Sequence, residues 1–208
     1  MTGHVVLLGD SIFDNASYVP GGISVIEHLR RKLPRDWRAT LSAVDGATVS
    51  GVFSQLARIP EDATHLVLSV GGNDALWIGG SVLPLSASSI QEALGELSAA
   101  IAEFAVDYRR LIDTLRELRL PLATCTIYDR IPRLGPAERA GLCIFNDVIT
   151  RTAFSHSLPL LDLRLICNEL DDYSAMSPIE PSTQGGGKIA RAIVAAVSSG
   201  TTGSRVVT

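Results

Sequence analysis

The sequence predicts an α/β fold in which a mostly parallel sheet of five strands is covered by helices on both faces. Short apolar blocks such as residues 5–8 and 66–70 are continuous rather than alternating, which is typical of parallel strands buried on both faces. These blocks alternate with longer segments in which apolar residues recur every three or four positions, as in amphipathic helices. Ligands of such sheets bind outside the carboxyl ends of the strands, so a functional site is expected in the turns that follow the blocks.

The elements of the first half follow from this periodicity and from the prolines that interrupt it. Apolar residues at helical spacing indicate two helices, which end before Pro34 and Pro60. Continuous or alternating runs of apolar and branched residues indicate the strands. The predicted elements are a strand at 5–8, a helix at 23–33, a strand at 37–44, a helix at 49–59 and a strand at 66–70.

The second half contains the longest predicted helix and one segment without a clear period. Residues 76–90 are apolar but irregular, and we interpret them as a loop that either packs over the core or forms one wall of a substrate pocket, with packing preferred. Ser88 or Ser89 is expected to cap the long helix, and Pro136 suits the first turn of the next one. The other predicted elements are a helix at 90–118, strands at 120–127 and 158–163, and helices at 136–154 and 188–197.

Composition and charge restrict the classes of partner. The 208 residues fit one domain, which we expect at residues 1–198, followed by a flexible tail at 199–208. Hydrophobic residues make up 46% and charged residues 19%, which is the balance of a compact globular protein. The net charge of -4 and the absence of an extended Lys/Arg run argue against nucleic acid and against a membrane as partner. We therefore expect a small neutral substrate.

The cysteines and the start of the chain indicate the cellular compartment. Cys125, Cys143 and Cys167 are an odd set without CxxC spacing in apolar surroundings, which predicts reduced residues in the core. The chain begins with neither a long apolar span nor a basic-then-apolar leader. We therefore expect a cytoplasmic location.

Neither a cofactor nor a metal is predicted. Asp10, Asp14 and Asp74 each adjoin a turn, and no His or Cys joins them, so hydrogen-bonding roles are favoured over metal binding. The glycines at 185–187 and the following Lys188 are only partly similar to a phosphate-binding loop, because neither Ser nor Thr follows the lysine. We interpret this run as the start of a helix.

Three strand ends carry the groups that acyl transfer requires. Ser11 leaves a tight turn after the first strand, where it is either a nucleophile or the cap of the next helix. Gly46 follows the second strand, and Asn73 follows the third. When a serine attacks a carbonyl carbon, the backbone N–H groups at Ser11 and Gly46 and the Asn73 amide would donate hydrogen bonds to the resulting oxyanion. The three residues therefore form a candidate acyl-transfer site.

The residues around these positions resemble the motifs of the SGNH/GDSL hydrolase family. GDSIFDN surrounds Ser11, DGAT contains Gly46 and VGGND contains Asn73, in an order that covers nearly the whole chain. The resemblance implies a flavodoxin-like three-layer α/β/α sandwich and the hydrolysis of esters. It also implies that Ser11 is the nucleophile and that Ser11, Gly46 and Asn73 form the oxyanion hole.

The last motif departs from the family pattern. Members usually carry Asp-x-x-His followed by proline, whereas Ser177 and Glu180 stand at those two positions, before Pro181. The histidines of the chain lie elsewhere and are interpreted as ordinary surface or helix-end residues. They are His4, His28, His65 and His156. Glu180 is thus either a substitute base or a sign of lost activity.

A carboxylate base is chemically consistent with the loss of the aspartate. Such a base becomes neutral when it takes a proton, so it gains nothing from a second carboxylate behind it. Free glutamate is a weaker base than histidine, but burial beside Ile179 would raise the pKa of Glu180. We predict a metal-independent serine esterase for small neutral acyl esters, with Ser11 and Glu180 as its dyad. The alternative is a binding protein that keeps the oxyanion hole to hold a small carbonyl or anionic ligand without turning it over.

The substrate is expected to contact three further residues. Trp77 begins an apolar segment, residues 77–85, that follows the oxyanion asparagine and carries two glycines, so we predict that this segment borders the acyl pocket. Asp10 and Ile179 precede the candidate nucleophile and base in the sequence, and they are predicted to bind substrate as well.

Overall fold

The computed structural model describes residues 2–198 and 205–207. Its strands are β1 (Gly3–Gly9), β2 (Trp37–Leu41), β3 (His65–Ser69), β4 (Leu122–Cys125), β5 (Pro159–Leu161) and β6 (Arg205–Val207). They form a six-stranded sheet in the order β2-β1-β3-β4-β5-β6, and each neighbouring pair is parallel. The predicted α/β fold with a parallel sheet is confirmed.

Helices connect the strands and cover the sheet. The α-helices are α1 (Val25–Lys32), α2 (Val49–Val52), α3 (Gly72–Val82), α4 (Ile90–Glu117), α5 (Pro136–Ser155), α6 (Leu163–Ile166) and α7 (Thr183–Ser198), and short 3-10 helices lie at Ala16–Tyr18, Phe53–Arg58 and Leu170–Asp172. None of the helices in the described part of the chain is long and apolar enough to cross a membrane.

The sheet has a hydrophobic core on each face, which gives the three-layer sandwich. All seven residues of β1 are buried, and successive side chains point to opposite faces. Val6 and Leu8 belong to the core that α2, α4 and α5 cover. Val5 and Leu7 belong to the core that α1, α6 and α7 cover. A continuous apolar block was therefore the correct signal for a strand buried on both faces.

The sixth strand corrects the prediction of five. β6 lies within residues 199–208, the segment expected to be a flexible tail, and pairs with β5 through Leu160 and Val206 at its centre. A strand of three residues is too short to show a period, and it forms because it pairs with the open edge of β5. The rest of that predicted tail, residues 199–204 and 208, lies outside the described residues.

Two other predicted elements differ from the structure. The segment 76–90, predicted as a loop, is helical through Val82, and its helix α3 starts after Gly71, whose φ of 119° reverses the chain direction at the end of β3. Helix α7 begins at Thr183 rather than at residue 188. The glycines at 185–187 are inside it because the backbone packs closely there: a Cβ at Gly185 would lie 2.2 Å from the Asp172 carbonyl oxygen.

The three cysteines do not all lie in the core. Cys125 and Cys167 are buried, as predicted, and Cys143 is exposed on α5. The prediction is wrong for Cys143 because its position on the helix turns it away from the sheet. All three are free thiols.

Candidate active site

A cavity of about 430 Å³ lies at the carboxyl ends of β1, β3 and β4. Most of its lining side chains are apolar, and its volume is in the range of small-molecule sites. The cavity brings together five of the seven residues that the sequence predicts for the site. They are Asp10, Ser11, Asn73, Ile179 and Glu180. Gly46 and Trp77 do not line it.

Ser11 is presented by a sharp turn at the end of β1. The turn begins at Gly9, whose φ is 127° and where a Cβ would lie 1.7 Å from the Ser69 carbonyl oxygen, so only glycine fits. The next N–H, of Asp10, donates to that same Ser69 oxygen at 3.1 Å. The backbone N–H of Ser11 donates to no group in the described part of the chain, which leaves it available to a ligand.

Gln55 holds this turn in place, a role that no motif or periodicity in the sequence indicates. Its side chain is completely buried. Oε1 accepts the Gly9 N–H at 2.8 Å, and Nε2 donates to the Gly9 carbonyl oxygen at 2.7 Å. The amide thus pairs with both polar groups of one residue, as a neighbouring strand would.

Glu180 supplies a buried carboxylate to the cavity. Its side chain is 3% exposed, and Oε2 has no hydrogen-bond partner among the described residues. Burial raises the pKa of Glu180 to about 7, a hydrogen bond from the Ser11 side chain opposes this shift, and the charge of Asp45 adds to it. The backbone around Glu180 is a tight turn in which its N–H donates to the Ser177 carbonyl oxygen at 3.0 Å.

Asp10 is a second buried carboxyl group beside this site. Its side chain is 2% exposed, and Oδ1 accepts the Ile12 N–H at 3.1 Å, as expected of a turn-forming aspartate. Burial raises the pKa of Asp10 to about 8, and the charges of Glu180 and Asp74 contribute to the increase. Asp10 is therefore largely protonated at neutral pH and adds little negative charge to the cavity.

Asn73 and Gly46 occupy adjoining loops. Asn73 is in the first turn of α3, and its Nδ2 donates to the Ala47 carbonyl oxygen at 3.0 Å, which leaves its second amide hydrogen free for a ligand. Gly46 is exposed with a φ of 76°, and its N–H donates to no described residue. The Asn73 contact thus connects the third strand end to the loop that carries Gly46.

Other aspartates hold these loops together by hydrogen bonds. Asp14 Oδ2 accepts the Asp45 N–H at 3.0 Å, and Asp74 Oδ2 accepts the Val49 N–H at 3.1 Å. Asp14 and Asp74 thus have the hydrogen-bonding roles that the sequence indicates. Within residues 2–198 and 205–207, no group of three or more His, Cys, Asp or Glu side chains is arranged to hold a metal ion.

The histidines contact other parts of the molecule. His4 is buried within β1, where its ring nitrogens contact Asp62 and Thr40, so it is a core residue rather than the surface residue we expected. His28 Nε2 lies 2.9 Å from the Thr183 carbonyl oxygen. None of the residues that line the cavity is a histidine.

Trp77, predicted to bind substrate, does not line the cavity. Its side chain is 79% exposed and lies outside the cavity. Residues three or four positions apart share one face of a helix, and the face of α3 that lines the cavity includes Leu76, Gly79 and Gly80, with Leu83 just beyond the end of the helix. Trp77 falls on another face. The segment 77–85 still borders the cavity through its other members.

One protein-family model matches most of the chain. The sequence model of the GDSL-like lipase/acylhydrolase family matches residues 7–186, which include Ser11, Gly46, Asn73 and Glu180. No curated protein sequence matches the chain.

Solved structures share the fold at low sequence identity. A lipase from a goat rumen metagenome has 16% identity and a TM-score of 0.74, over 94% of this chain and 97% of that one. The acetyl xylan esterase AlAXEase has 17% identity and a TM-score of 0.68, over 93% and 99%. A psychrotrophic esterase from Pseudoalteromonas sp. has 16% identity and a TM-score of 0.64, over 94% and 97%.

Proposed function

Because this chain belongs to the GDSL-like lipase/acylhydrolase family, we propose that it hydrolyses neutral acyl esters with Ser11 as nucleophile and Glu180 as general base. One observation carries the proposal. The buried Glu180 carboxylate, with an unpartnered Oε2, lines the same cavity as Ser11, and the Ser11 side chain interacts with it. A serine and an available base in contact are the minimum that nucleophilic catalysis requires.

In the first half of the reaction, Ser11 Oγ attacks the ester carbonyl carbon while its proton passes to the Glu180 carboxylate. The tetrahedral intermediate then collapses, the bond to the alcohol oxygen breaks, and protonated Glu180 returns the proton to the departing alcohol. The product of this half is an ester of the acyl group with Ser11.

In the second half, water attacks the acyl-serine carbonyl carbon and gives its proton to Glu180. Collapse of this second intermediate breaks the bond to Ser11 Oγ, which takes the proton back, and the carboxylic acid leaves. The environment of Glu180 suits both directions of transfer, because a pKa of about 7 leaves the group divided between its two protonation states near neutrality.

The oxyanion hole matters more with a carboxylate base than with histidine. A protonated histidine is a cation beside the oxyanion, whereas protonated Glu180 is neutral and offers no such attraction. Stabilisation must then come from the Ser11 and Gly46 N–H groups and from Asn73, whose free donors support this role. Ser177 in place of the usual aspartate fits the same chemistry, because a nearby carboxylate would repel ionised Glu180.

The charge of the cavity favours a neutral substrate. Its lining includes the carboxyl groups of Asp10, Glu138 and Glu180, and neither Lys nor Arg is among its lining residues. An anionic ligand would meet the carboxylates of Glu138 and of ionised Glu180 without a cation to pair with. An ester without a phosphate or a free carboxylate near the reacting bond is therefore the proposed substrate.

The second candidate is a binding protein that no longer turns over its ligand. It is favoured by one observation, the lack of a histidine in the cavity lining. This candidate shares the cavity and the oxyanion donors with the first. The two differ in whether Ser11 forms a covalent bond.

Covalent labelling of Ser11 separates the two candidates. We expect a fluorophosphonate probe to label the wild type and Glu61→Gln, which changes an exposed carboxylate far from the site in sequence, but not Ser11→Ala. Glu180→Gln should be labelled much more slowly, because the proton of Ser11 then has no acceptor. Equal labelling of wild type and Ser11→Ala would refute the nucleophile, and ligand binding without Ser11-dependent labelling or turnover would establish the binding protein.

A further inference from the structure

We infer that the acyl group is a long apolar chain that fills the cavity beside Ser11, and that Gly141 determines the chain length, an inference that rests on the proposed ester hydrolysis. The cavity separates into a polar end and an apolar body. Asp10, Ser11, Asn73 and Glu180 form the polar end. The apolar body extends between α3, α4 and α5.

Apolar side chains line the body of the cavity on two opposite sides. Leu142 and Phe145 of α5 form a buried wall, and Leu97 of α4 adjoins it. Leu76 of α3 and Leu83, directly after that helix, form the outer wall and are about half exposed. A chain threaded between these walls would bury its own apolar surface and that of the half-exposed leucines, which is favourable.

The two hydroxyl groups of Thr126 and Tyr128 in the wall are already paired within the protein. The Thr126 hydroxyl donates to Asp162 Oδ1 at 3.0 Å, and the Tyr128 hydroxyl donates to the Ile179 carbonyl oxygen at 2.6 Å. A sugar placed in the cavity body would lose its hydration and find few partners there, which is costly. The wall therefore selects an aliphatic chain over a carbohydrate as the group it encloses.

Gly141 lies on the face of α5 that lines the cavity. Residues 138, 141, 142 and 145 follow the spacing of one helix face, and all four line it. A Cβ at Gly141 would have no atom of another element within 4 Å. Its φ is not positive, so neither close packing nor backbone conformation requires glycine there. What the missing side chain provides is space in the cavity.

Gly141→Leu tests this inference, with Gly95→Leu as its matched control. Gly95 is also inside a helix, α4, and a Cβ there would also meet no atom within 4 Å, but Gly95 is exposed and does not line the cavity. Both changes replace a helix glycine with a better helix former, so neither should impair folding. Circular dichroism and thermal unfolding would check this, and Gly141→Ala provides a smaller version of the same change.

The readout is kcat/KM for nitrophenyl esters from acetate to dodecanoate, with calorimetric titration of 1-octanol as a binding measurement. For the wild type we expect kcat/KM to rise by about fourfold per methylene until the chain fills the cavity. Gly141→Leu should lower kcat/KM for octanoate at least tenfold relative to acetate and weaken octanol binding. Gly141→Ala should act in the same direction but less, and Gly95→Leu should match the wild type.

The possible outcomes distinguish a failure of the acyl-chain inference from a failure of the proposed ester hydrolysis. If the wild type prefers acetate, or if Gly141→Leu lowers activity equally at every chain length, the acyl-chain inference is wrong while Ser11-dependent hydrolysis stands. If no ester is cleaved but octanol binds and Gly141→Leu weakens that binding, the apolar-chain site stands and the proposed hydrolysis fails. If octanol binds wild type and Gly141→Leu equally, the inference fails whatever the activity.

Discussion

Ser11 and Glu180 line the same cavity, and a hydrogen bond from the Ser11 side chain opposes the effect of burial on the pKa of Glu180. Burial favours the neutral acid, whereas a hydrogen bond from the hydroxyl favours the carboxylate. The balance near pH 7 is set by two residues from opposite ends of the chain.

Glu180→Gln should reduce kcat by on the order of a hundredfold or more, because the amide keeps the shape of the side chain but cannot accept the Ser11 proton. KM should change little. Steady-state kinetics with Glu61→Gln as control would measure this. Ser11-dependent hydrolysis that survives Glu180→Gln undiminished would mean that another group is the base.

The rate of ester hydrolysis should rise with pH through about 7. Burial raises the Glu180 pKa to about 7, and only the deprotonated form can take the Ser11 proton, so activity is lost as pH falls through that value. The pH dependence of kcat/KM for the wild type would measure the step. The step should be absent from any residual activity of Glu180→Gln, and its persistence there would assign it to another group.

Glu180→Gln should also change how stability depends on pH. The folded-state pKa of Glu180 is above its unfolded value, so the unfolded chain releases this proton first, and stability present below about pH 4 is lost as pH rises through about 7. Relative to the wild type, Glu180→Gln should gain up to roughly 3 kcal/mol in free energy of unfolding between pH 5 and pH 8. Urea unfolding at both pH values would measure the difference. A constant difference between the two proteins would contradict the raised pKa.

Gln55→Ala should lower both stability and activity. The change leaves the buried N–H of Gly9 without a partner and leaves its carbonyl oxygen with the Val44 N–H alone, which should cost about 2 kcal/mol in free energy of unfolding. It also frees the turn that presents Ser11, so kcat should fall even where the protein remains folded. Denaturant unfolding and kinetics at low temperature would measure these effects, and the exposed Gln91→Ala should show neither. Unchanged kcat in folded Gln55→Ala would show that the turn presents Ser11 correctly without the hydrogen bonds from Gln55.

Asn73→Ala should lower kcat by about a hundredfold with little change in KM, because an oxyanion donor acts in the transition state. It also removes the hydrogen bond to Ala47, so thermal unfolding must be compared in parallel. Asn168→Ala, at an exposed position, is the matched control. A rise in KM at constant kcat would instead assign Asn73 to ground-state binding.

The sequence by itself determined the layout of the sheet and where the site had to be sought. The apolar block at Val5–Leu8 could be recognised because a strand buried on both faces needs no polar residue, and local periodicity shows this without knowledge of its neighbours. Ser11 and Asn73 could be placed together because parallel strands bring their carboxyl ends to one edge. Glu180 could be named from its position in a motif.

Only the tertiary structure decided the properties that depend on distant residues. The face of α3 that lines the cavity, and hence the exposure of Trp77, depends on how that helix packs against α4 and α5. The role of Gln55 depends on a contact with Gly9, and β6 on an open edge of β5. The pKa of Glu180 is likewise a property of its surroundings, because desolvation and the nearby Ser11 hydroxyl set it. Periodicity and motifs report interactions along the chain, whereas burial, hydrogen-bond partners and cavity shape arise between segments that meet only on folding.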